Sequence, residues 1–270
     1  MLILATYFNK NSMKKRPLIL VTNDDGIAAP GIRALIEVMK EIGDVIVVAP
    51  DNRQSGKGHA VTIDATLFYN RINIDDQVTE EYSCSGTPVD CIKLAVNEIL
   101  KKKPDICVSG INHGSNSSVN VIYSGTMSAA VEAGIEGIPA IGFSLCDYSW
   151  DADFETIKEH VKTITVNTLK NGLPEGVVLN VNFPKLKKEE IKGIKICRQA
   201  NARWVEEFDK RTNPQGREYF WLTGKFINSD KGEDTDEWAL ANGYISIVPV
   251  QFDLTAHHAI QTLNTWELND

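Results

Sequence analysis

Short apolar runs alternate with amphipathic segments over the first two thirds of the chain, and this alternation constrains the fold more than any other feature. A short continuous apolar run is expected of a strand that is covered on both faces. The predicted strands are residues 18–22, 45–49, 104–109, 138–145 and 177–182. The helices predicted between them begin at Pro30, after an N-cap at Thr87, at Thr126 and near residue 151. Strands that alternate with helices indicate βαβ units, and therefore an α/β fold with a mostly parallel sheet.

The pattern changes after about residue 190. Residues 203–208 and 218–222 are rich in aromatic side chains and flank a turn at residues 213–216, which predicts a β-hairpin. Residues 224–237 are expected to form a mobile loop, residues 244–250 a strand and residues 255–267 a closing helix. The hairpin aromatics are Trp204, Phe208, Phe220 and Trp221. A hairpin that exposes them is marginal alone, so we expect it to be buried against another subunit.

Charge and composition exclude several classes of protein. The chain has 28 basic and 36 acidic residues, a net charge of −8, so a stable complex with nucleic acid is not expected. No apolar run approaches the ~20 residues that span a bilayer, so a membrane protein is excluded. The five cysteines are dispersed without a C-x-x-C pair, which is typical of reduced thiols and predicts a cytoplasmic protein.

Two adjacent carboxylates, Asp24 and Asp25, follow the first predicted strand in the sequence Asn23-Asp24-Asp25-Gly26. Like charges in contact are unfavourable unless something compensates, and a divalent cation is the simplest compensator. Hard oxygen ligands suit Mg²⁺, Mn²⁺ or Ca²⁺. The alternative interpretation is a polar turn in which Asp25 and Gly26 merely reverse the chain.

Three more polar loops follow predicted strand ends, and right-handed crossovers bring those ends to one edge of the sheet. Residues 51–59 combine glycines, a hydroxyl and cations, which suits an anion, and residues 109–116 include Asn112, whose amide oxygen is a possible metal ligand. Residues 123–126 open a small-residue helix, whose N-terminus favours phosphate. The residues expected to contact phosphate or substrate are Asn23, Gly56, His59, Asn116, Ser124, Gly125 and Thr126. Neither G-x-G-x-x-G nor G-x-x-x-x-G-K-[ST] follows the first strand.

The ordered set of motifs resembles the SurE family, the survival protein E nucleotidases, over about residues 17 to 257. The resemblance lies in the segments 20–26 with 30–32, 49–50 with 54–56, 85–91, 104–105, 109–116, 123–126, 214–217 and 253–255. It implies a Rossmann-like core, a C-terminal hairpin arm exchanged between subunits, and a homodimer or homotetramer. The chain departs from the family at residues 117–120, where the family often has Asp and this sequence reads Ser117-Ser118-Val119-Asn120.

The resemblance also implies an activity, the metal-dependent hydrolysis of nucleoside 5′- and 3′-monophosphates. It maps the ligands of one divalent metal ion per subunit, Mg²⁺ or Mn²⁺, onto Asp24, Asp25, Ser55 and Asn112. We expect Asp24 and Asp25 to be catalytic, with Asp24 either orienting a water molecule as general base or attacking phosphorus itself. Two other functions stay open at this point: a nucleotide-binding regulatory protein without turnover, and a hydrolase of polyphosphate or another phosphate ester.

The expected domain organisation has three parts. Residues 1–16 form a tail outside the family match, and residues 17–190 form the Rossmann-like catalytic core. Residues 191–270 contain the hairpin arm, the closing strand and the closing helix, which serve oligomerisation within the same overall domain.

Overall fold

A nine-stranded sheet lies at the centre of the protein, in a computed structural model that describes residues 16–266 and 268. The expected N-terminal tail therefore lies outside the described residues except for Arg16, as does Glu267 of the closing helix. The strands are β1 (Leu18–Thr22), β2 (Asp44–Pro50), β3 (Tyr69–Ile72), β4 (Glu80–Cys84), β5 (Ile106–His113), β6 (Ala140–Leu145), β7 (Val177–Phe183), β8 (Ile194–Ile196), β9 (Ala202–Thr212), β10 (Glu218–Asn228) and β11 (Ile245–Gln251). The helices are α1 (Pro30–Ile42), α2 (Pro88–Leu94), α3 (Asn120–Tyr123), α4 (Gly125–Ile135), α5 (Lys158–Asn171), α6 (Asp236–Ala241) and α7 (His257–Leu263).

The main sheet has the strand order β3-β4-β2-β1-β5-β6-β7-β11-β8. Six of its strand pairings are parallel, and the two antiparallel ones are β3 with β4 and β7 with β11. The prediction of a mostly parallel α/β sheet is thus confirmed. The chain moves outward from β1 to β2 and returns to β5 on the other side, so β1 and β5 flank the topological switch point, where open α/β sheets bind ligands.

Both faces of this sheet are covered by helices, as the continuous apolar runs predict. Along β1, Ile19 and Val21 join a core cluster with α1 and α5, whereas Leu18 and Leu20 join a second cluster with α2 and α4. Successive strand residues point to opposite faces, so an apolar residue at every position requires a helix layer on each side.

The C-terminal part contributes to the main sheet as well as forming the hairpin. Strands β8 and β11 extend the sheet beyond β7, whereas β9 and β10 pair only with each other among the described strands. The hairpin is longer than predicted, because β10 continues to Asn228 and so includes the first residues of the segment expected to be a loop. A glycine at position 224 suggests that the strand ends there. In the structure the strand continues, and only glycine fits, because a Cβ atom at this position would lie 2.5 Å from the Val205 carbonyl oxygen.

Four other elements differ from the predictions. The edge strand β3 and its neighbour β4 lack an apolar run, so reasoning from the apolar period misses both strands. The helix expected from residue 151 begins at Lys158, after a short 3₁₀ turn at Glu155–Ile157. The closing helix is shorter than predicted and spans His257–Leu263. No helix in the described part of the chain combines the length and apolar character that crossing a membrane requires.

The predicted N-cap of α2 is confirmed and supplies a test of local stability. The Thr87 hydroxyl accepts a hydrogen bond from the Asp90 amide and donates one to the Ala60 carbonyl, while the Asp90 carboxylate accepts from the Thr87 amide. We expect Thr87→Ala to lower the free energy of unfolding by about 1–2 kcal/mol, because buried backbone groups lose their partners. Urea unfolding measures this change. Thr87→Ser keeps the hydroxyl and should recover most of the loss, and an Ala variant as stable as the Ser variant would contradict this account of the cap.

Candidate active site

The carboxylate pair lies directly after β1, at the edge of the sheet where the parallel strands end. Asp24 is 3% exposed and Asp25 is 6% exposed, although both are acidic. The turn that carries them is closed by Asn23, whose Nδ2 donates to the Gly26 carbonyl at 2.9 Å. The Gln54 amide donates to the Asp24 carbonyl at 2.7 Å, which joins this turn to the loop after β2.

Asp24 is enclosed by the beginning of α4. The Thr126 hydroxyl donates to its Oδ1 atom, and Gly125 packs so closely that a Cβ atom there would lie 2.6 Å from Asp24 Cβ. Burial and, to a smaller extent, the negative charge of Asp25 raise the pKa of Asp24 to about 6, although the hydrogen bond from Thr126 opposes the rise. A dehydrated carboxyl beside another carboxylate gains a large electrostatic benefit from a bound cation.

Asp25 collects contacts from two other loops. Its Oδ1 atom accepts from Arg53 Nε at 3.0 Å and lies 3.4 Å from Ser55 Oγ, and its Oδ2 atom accepts from the His113 amide at 3.3 Å. The loops after β1, β2 and β5 therefore meet at one carboxylate, which is the gathering that the topology predicts.

The four residues expected to hold a metal present oxygen atoms only. Asn112 donates from Nδ2 to the Gly114 carbonyl at 2.9 Å, which leaves Oδ1 as its ligand atom. Nearby, Asn23 Oδ1 is buried and has no hydrogen-bond partner. No group of three or more His, Cys, Asp or Glu side chains suited to a metal occurs among residues 16–266 and 268. Two carboxylates with neutral oxygen donors fit a hard cation such as Mg²⁺ or Mn²⁺ rather than zinc.

The expected phosphate cradle is the N-terminus of α4, which lies beside Asp24. The Ser124 hydroxyl caps the helix by accepting from the Met127 amide at 3.0 Å, and Gly125 and Thr126 form its first turn. The free N–H groups and the dipole of a helix N-terminus favour a phosphate there. The Thr126 hydroxyl, however, is engaged with Asp24 rather than free for a ligand.

Two of the predicted substrate contacts, His59 and Asn116, are hydrogen-bonded to other side chains. His59 Nε2 lies 2.8 Å from Glu132 Oε2, and this hydrogen bond, together with the one from Lys93, holds the Glu132 pKa below its usual range against the effect of burial. Asn116 belongs to a buried polar network, with its amide on Asn182 Oδ1 and its Nδ2 on Ser144 Oγ, both at 2.8 Å. Gly56 lies in an exposed turn, with no atom within 4 Å of where a Cβ would stand.

The sequence places Arg53 among the cations of an anion-binding loop and favours a structural or substrate-contact role for His113, but it identifies no partner for either and gives Trp150 no role. Arg53 contacts Asp25 and Ser55, and its guanidinium lies 5.8 Å from the centre of the Trp150 ring. The His113 ring stacks on Trp150 at 5.2 Å, and its Nε2 atom is buried without a partner. Arg53 and His113 lie within the predicted polar loops, so their position in the sequence indicated that they lie near the site. Nothing in the sequence around Trp150 indicates its contacts with these two side chains.

Comparison with known proteins decides the family. The profile of the family described as survival protein SurE matches residues 19–206. The chain belongs to the SurE family. A 5′-nucleotidase SurE of Flavobacterium psychrophilum is 73% identical over 254 residues, which cover 94% of this chain and 99% of that protein. One from Christiangramia forsetii is 74% identical over 258 residues, covering 95% of this chain and 99% of that one.

A solved member of the family has the same fold. The crystal structure of the SurE protein from Aquifex aeolicus superposes with a TM-score of 0.80 at 41% identity. The match covers 92% of this chain and 98% of the Aquifex chain. The similarity thus extends over the main sheet and the C-terminal part, and is not limited to the motif-bearing loops.

The raised pKa of Asp24 predicts a pH-dependent stability in the metal-free protein. The folded state keeps a proton on Asp24 up to about pH 6, whereas the unfolded state loses it near 3.8. The folded state binds more protons within this window, so stability falls as the pH rises through it and stays low above pH 6. We expect Asp24→Asn to be more stable than the wild type at pH 7.5, by up to about 3 kcal/mol.

Urea unfolding in EDTA at pH 7.5 and pH 4.5 measures the effect. Asn still accepts the hydrogen bond from Thr126, so the substitution mainly removes the charge. The stability gap should shrink to about 1 kcal/mol or less at pH 4.5. A gap that is equal at the two pH values would show that the charge of Asp24 is not its source.

Proposed function

We propose that the protein is a divalent-metal-dependent phosphohydrolase that converts nucleoside 5′-monophosphates, and also 3′-monophosphates, to nucleoside and phosphate. The observation that carries this proposal is the buried pair Asp24 and Asp25 beside the N-terminus of α4. The relatives at 73% and 74% identity are named 5′-nucleotidase SurE, which supports the same activity here.

One Mg²⁺ or Mn²⁺ ion would be held by the carboxylates of Asp24 and Asp25, the Ser55 hydroxyl and the Asn112 amide oxygen. Such an ion neutralises phosphoryl oxygens and lowers the pKa of a bound water molecule. The oxygen-only donor set and the dehydrated carboxylates support this assignment. Arg53 partly neutralises Asp25 from the solvent side, because its side chain is 57% exposed while that of Asp25 is 2% exposed.

Residues of the chain itself position the phosphate and accept the proton. The amides at the start of α4 hold the phosphate in line, and Gly125 leaves the room that this approach needs. Asp24 acts as the general base for the attacking water molecule, since its carboxyl group lies against the first turn of α4, beside the phosphate position. Its Oδ1 atom is fixed by Thr126, which leaves Oδ2 to accept the proton.

The proposed activity is tested with AMP as substrate. Protein stripped of metal by chelation should release no phosphate above background, and Mg²⁺ or Mn²⁺ should restore turnover. Asp25→Asn should keep the fold but lower kcat/KM roughly 100-fold or more at saturating metal, because one anionic ligand is lost.

Ser55→Ala is the milder companion variant, because a neutral hydroxyl is a weaker ligand than a carboxylate. Circular dichroism and thermal unfolding check that both variants fold. Unchanged turnover in Asp25→Asn would refute the assigned role, and binding of AMP by the wild type without turnover in any metal would refute the proposed activity.

We also propose that the hairpin of β9 and β10 joins subunits into a homodimer or homotetramer, as expected for the C-terminal part at residues 191–270. Strand register places Trp204, Phe208 and Phe220 on one face of the ribbon, with Phe226 opposite Trp204 and Leu222 opposite Phe208. Trp221 lies on the other face, opposite Asp209. Phe208, Phe220 and Leu222 are each more than half exposed in the single chain. The exposed end of this face, formed by Phe208, Phe220 and Leu222, marks an interface.

Light scattering at micromolar concentration tests the assembly. The wild type should be at least a dimer, and Phe220→Asp should shift it to a smaller species, because a carboxylate cannot be buried in an apolar contact. Lys210→Ala, on the same face and opposite Phe220, is the control and should leave the mass unchanged. A wild-type protein that stays monomeric would contradict the proposal.

We propose a cytoplasmic location from the state of the thiols. All five cysteines are free in the structure, and Cys84, Cys91, Cys107 and Cys197 are buried. Unpaired buried thiols are typical of proteins that work in a reducing compartment.

A further inference from the structure

A cavity of about 420 Å³ lies at the same edge of the sheet as the carboxylate pair, beyond the ends of β5, β6 and β7. Its lining includes Ser117 and Asn120 between β5 and α4, Tyr148 after β6, Trp204 and Phe226 of the hairpin, and Glu237 of α6. Its volume falls within the range of about 300–1,000 Å³ that is typical of small-molecule sites. None of the residues assigned above to the metal or the phosphate lines this cavity.

The connection from β5 to α4 links the cavity to the proposed active site. Ser115, which also lines the cavity, is three residues after the expected ligand Asn112, so their Cα atoms lie within about 11 Å. At the other end, Asn120 begins α3, one short turn before the Ser124 cap of the phosphate cradle. A nucleotide whose phosphate rests on α4 can therefore extend its base into the cavity.

Glu237 is the polar anchor of the cavity. Its Oε1 atom accepts a hydrogen bond from Ser117, whose hydroxyl also lies 2.6 Å from that of Ser115. Its Oε2 atom accepts no hydrogen bond from any residue in the described ranges. Glu237 is half-buried, and this partial removal from water raises the pKa of its carboxyl. A fixed, partly dehydrated acceptor with one unused oxygen discriminates strongly between donors and acceptors on a ligand.

The apolar part of the cavity is aromatic. Trp204 is fixed by a hydrogen bond from its Nε1 to Asn120 Oδ1 at 2.7 Å, and its ring packs against Phe226 at 5.5 Å between centres. Tyr148 packs over Gly114 so closely that a Cβ atom at Gly114 would lie 2.3 Å from its ring. The flat rings of Trp204 and Tyr148 in the lining suit a planar heteroaromatic ligand.

We propose that this cavity binds the base of the nucleotide substrate and that Glu237 selects bases with an exocyclic amino group, an inference that rests on the proposed nucleotidase activity. A carboxylate is an acceptor only, so it favours the amino groups of adenine and cytosine. Hypoxanthine and uracil carry a carbonyl oxygen at the same positions, and this oxygen is repelled. The aromatic walls bind either kind of base by stacking.

Steady-state kinetics with matched substrates tests the proposal. The wild type should favour AMP over IMP and CMP over UMP by about tenfold in kcat/KM, because a misplaced carbonyl leaves the carboxylate unpaired. Ribose 5-phosphate, which has the phosphate and sugar without a base, reports on the chemistry alone. Glu237→Gln should bring both ratios close to one, because an amide can turn to donate or accept, while kcat/KM for ribose 5-phosphate stays unchanged.

Two further variants sharpen the test. Glu233→Gln removes the same charge from an exposed position outside the cavity and should keep both preferences. Tyr148→Leu should raise the KM for AMP several-fold with little change in kcat, since stacking on an aromatic ring is worth roughly 1–3 kcal/mol per base.

The outcomes separate this inference from the proposed activity. Loss of the base preferences in Glu237→Gln alone supports the base site. A wild type that hydrolyses nucleotides without preference, or a Glu237→Gln variant that keeps the preferences, overturns the base site and leaves the nucleotidase activity standing. A Glu237→Gln variant that also loses activity on ribose 5-phosphate overturns the base site too, because the substitution then disturbs the fold and not the recognition of the base. A wild type that hydrolyses none of these esters with metal overturns the proposed activity itself.

Discussion

The repulsion between Asp24 and Asp25 is the constraint on which the rest of the site depends. Two carboxylates in consecutive positions are buried at the end of a strand, where water cannot solvate them fully. Their charge is offset by groups from elsewhere in the chain: the Thr126 hydroxyl, the His113 amide and the Arg53 guanidinium. Each of these contacts joins a different segment of the chain to the carboxylate pair. The contacts that offset the negative charge are therefore the same ones that assemble the site.

The sheet makes this convergence possible at little conformational cost. Strands β1 and β5 are neighbours although 83 residues lie between Thr22, where β1 ends, and Ile106, where β5 begins, and the parallel order directs the loops that follow them to one edge. The register of β5 shifts between Ser109 and Asn112, just before the strand reaches that edge. Gly110 permits the shift, because a Cβ atom there would lie 2.3 Å from the Phe143 carbonyl oxygen and its φ of +124° disfavours other residues.

Sequence patterns predicted the parts of the fold that depend on local chemistry. The runs at β1 and β2 and the cap at Thr87 were found because burial and capping each leave a signature within a few residues. The edge strand β3 and its neighbour β4 carry polar residues and leave no such signature. The faces of the hairpin were also hidden, because only the pairing register shows that Phe220 and Trp221 point to opposite sides.

The same distinction holds within the site. Adjacent aspartates and a polar loop after each strand are visible in the sequence, so the residues that gather around Asp25 were predictable. The partner of His59 could not be predicted, because Glu132 is 73 positions away in the sequence. Their contact depends on how the loop after β2 packs on α4. Trp150 follows β6 without any motif, and its contact with His113 arises from tertiary packing alone.

The connection between β5 and α4 is held by α6 and the hairpin at residues 117–120, where the chain departs from the family. Ser117 donates to Glu237, and the Ser118 amide donates to Asp236 Oδ2 at 2.7 Å. Ser118 adopts a φ of 53°, and its hydroxyl donates to the Ala200 carbonyl at 2.9 Å, which anchors the connection to the base of the hairpin. The connection follows Asn112, a proposed metal ligand, and ends at the N-terminus of α4, the proposed phosphate site. Its residues Ser117 and Asn120 line the neighbouring cavity together with Glu237 of α6, so one stretch of backbone joins the proposed sites for metal, phosphate and base.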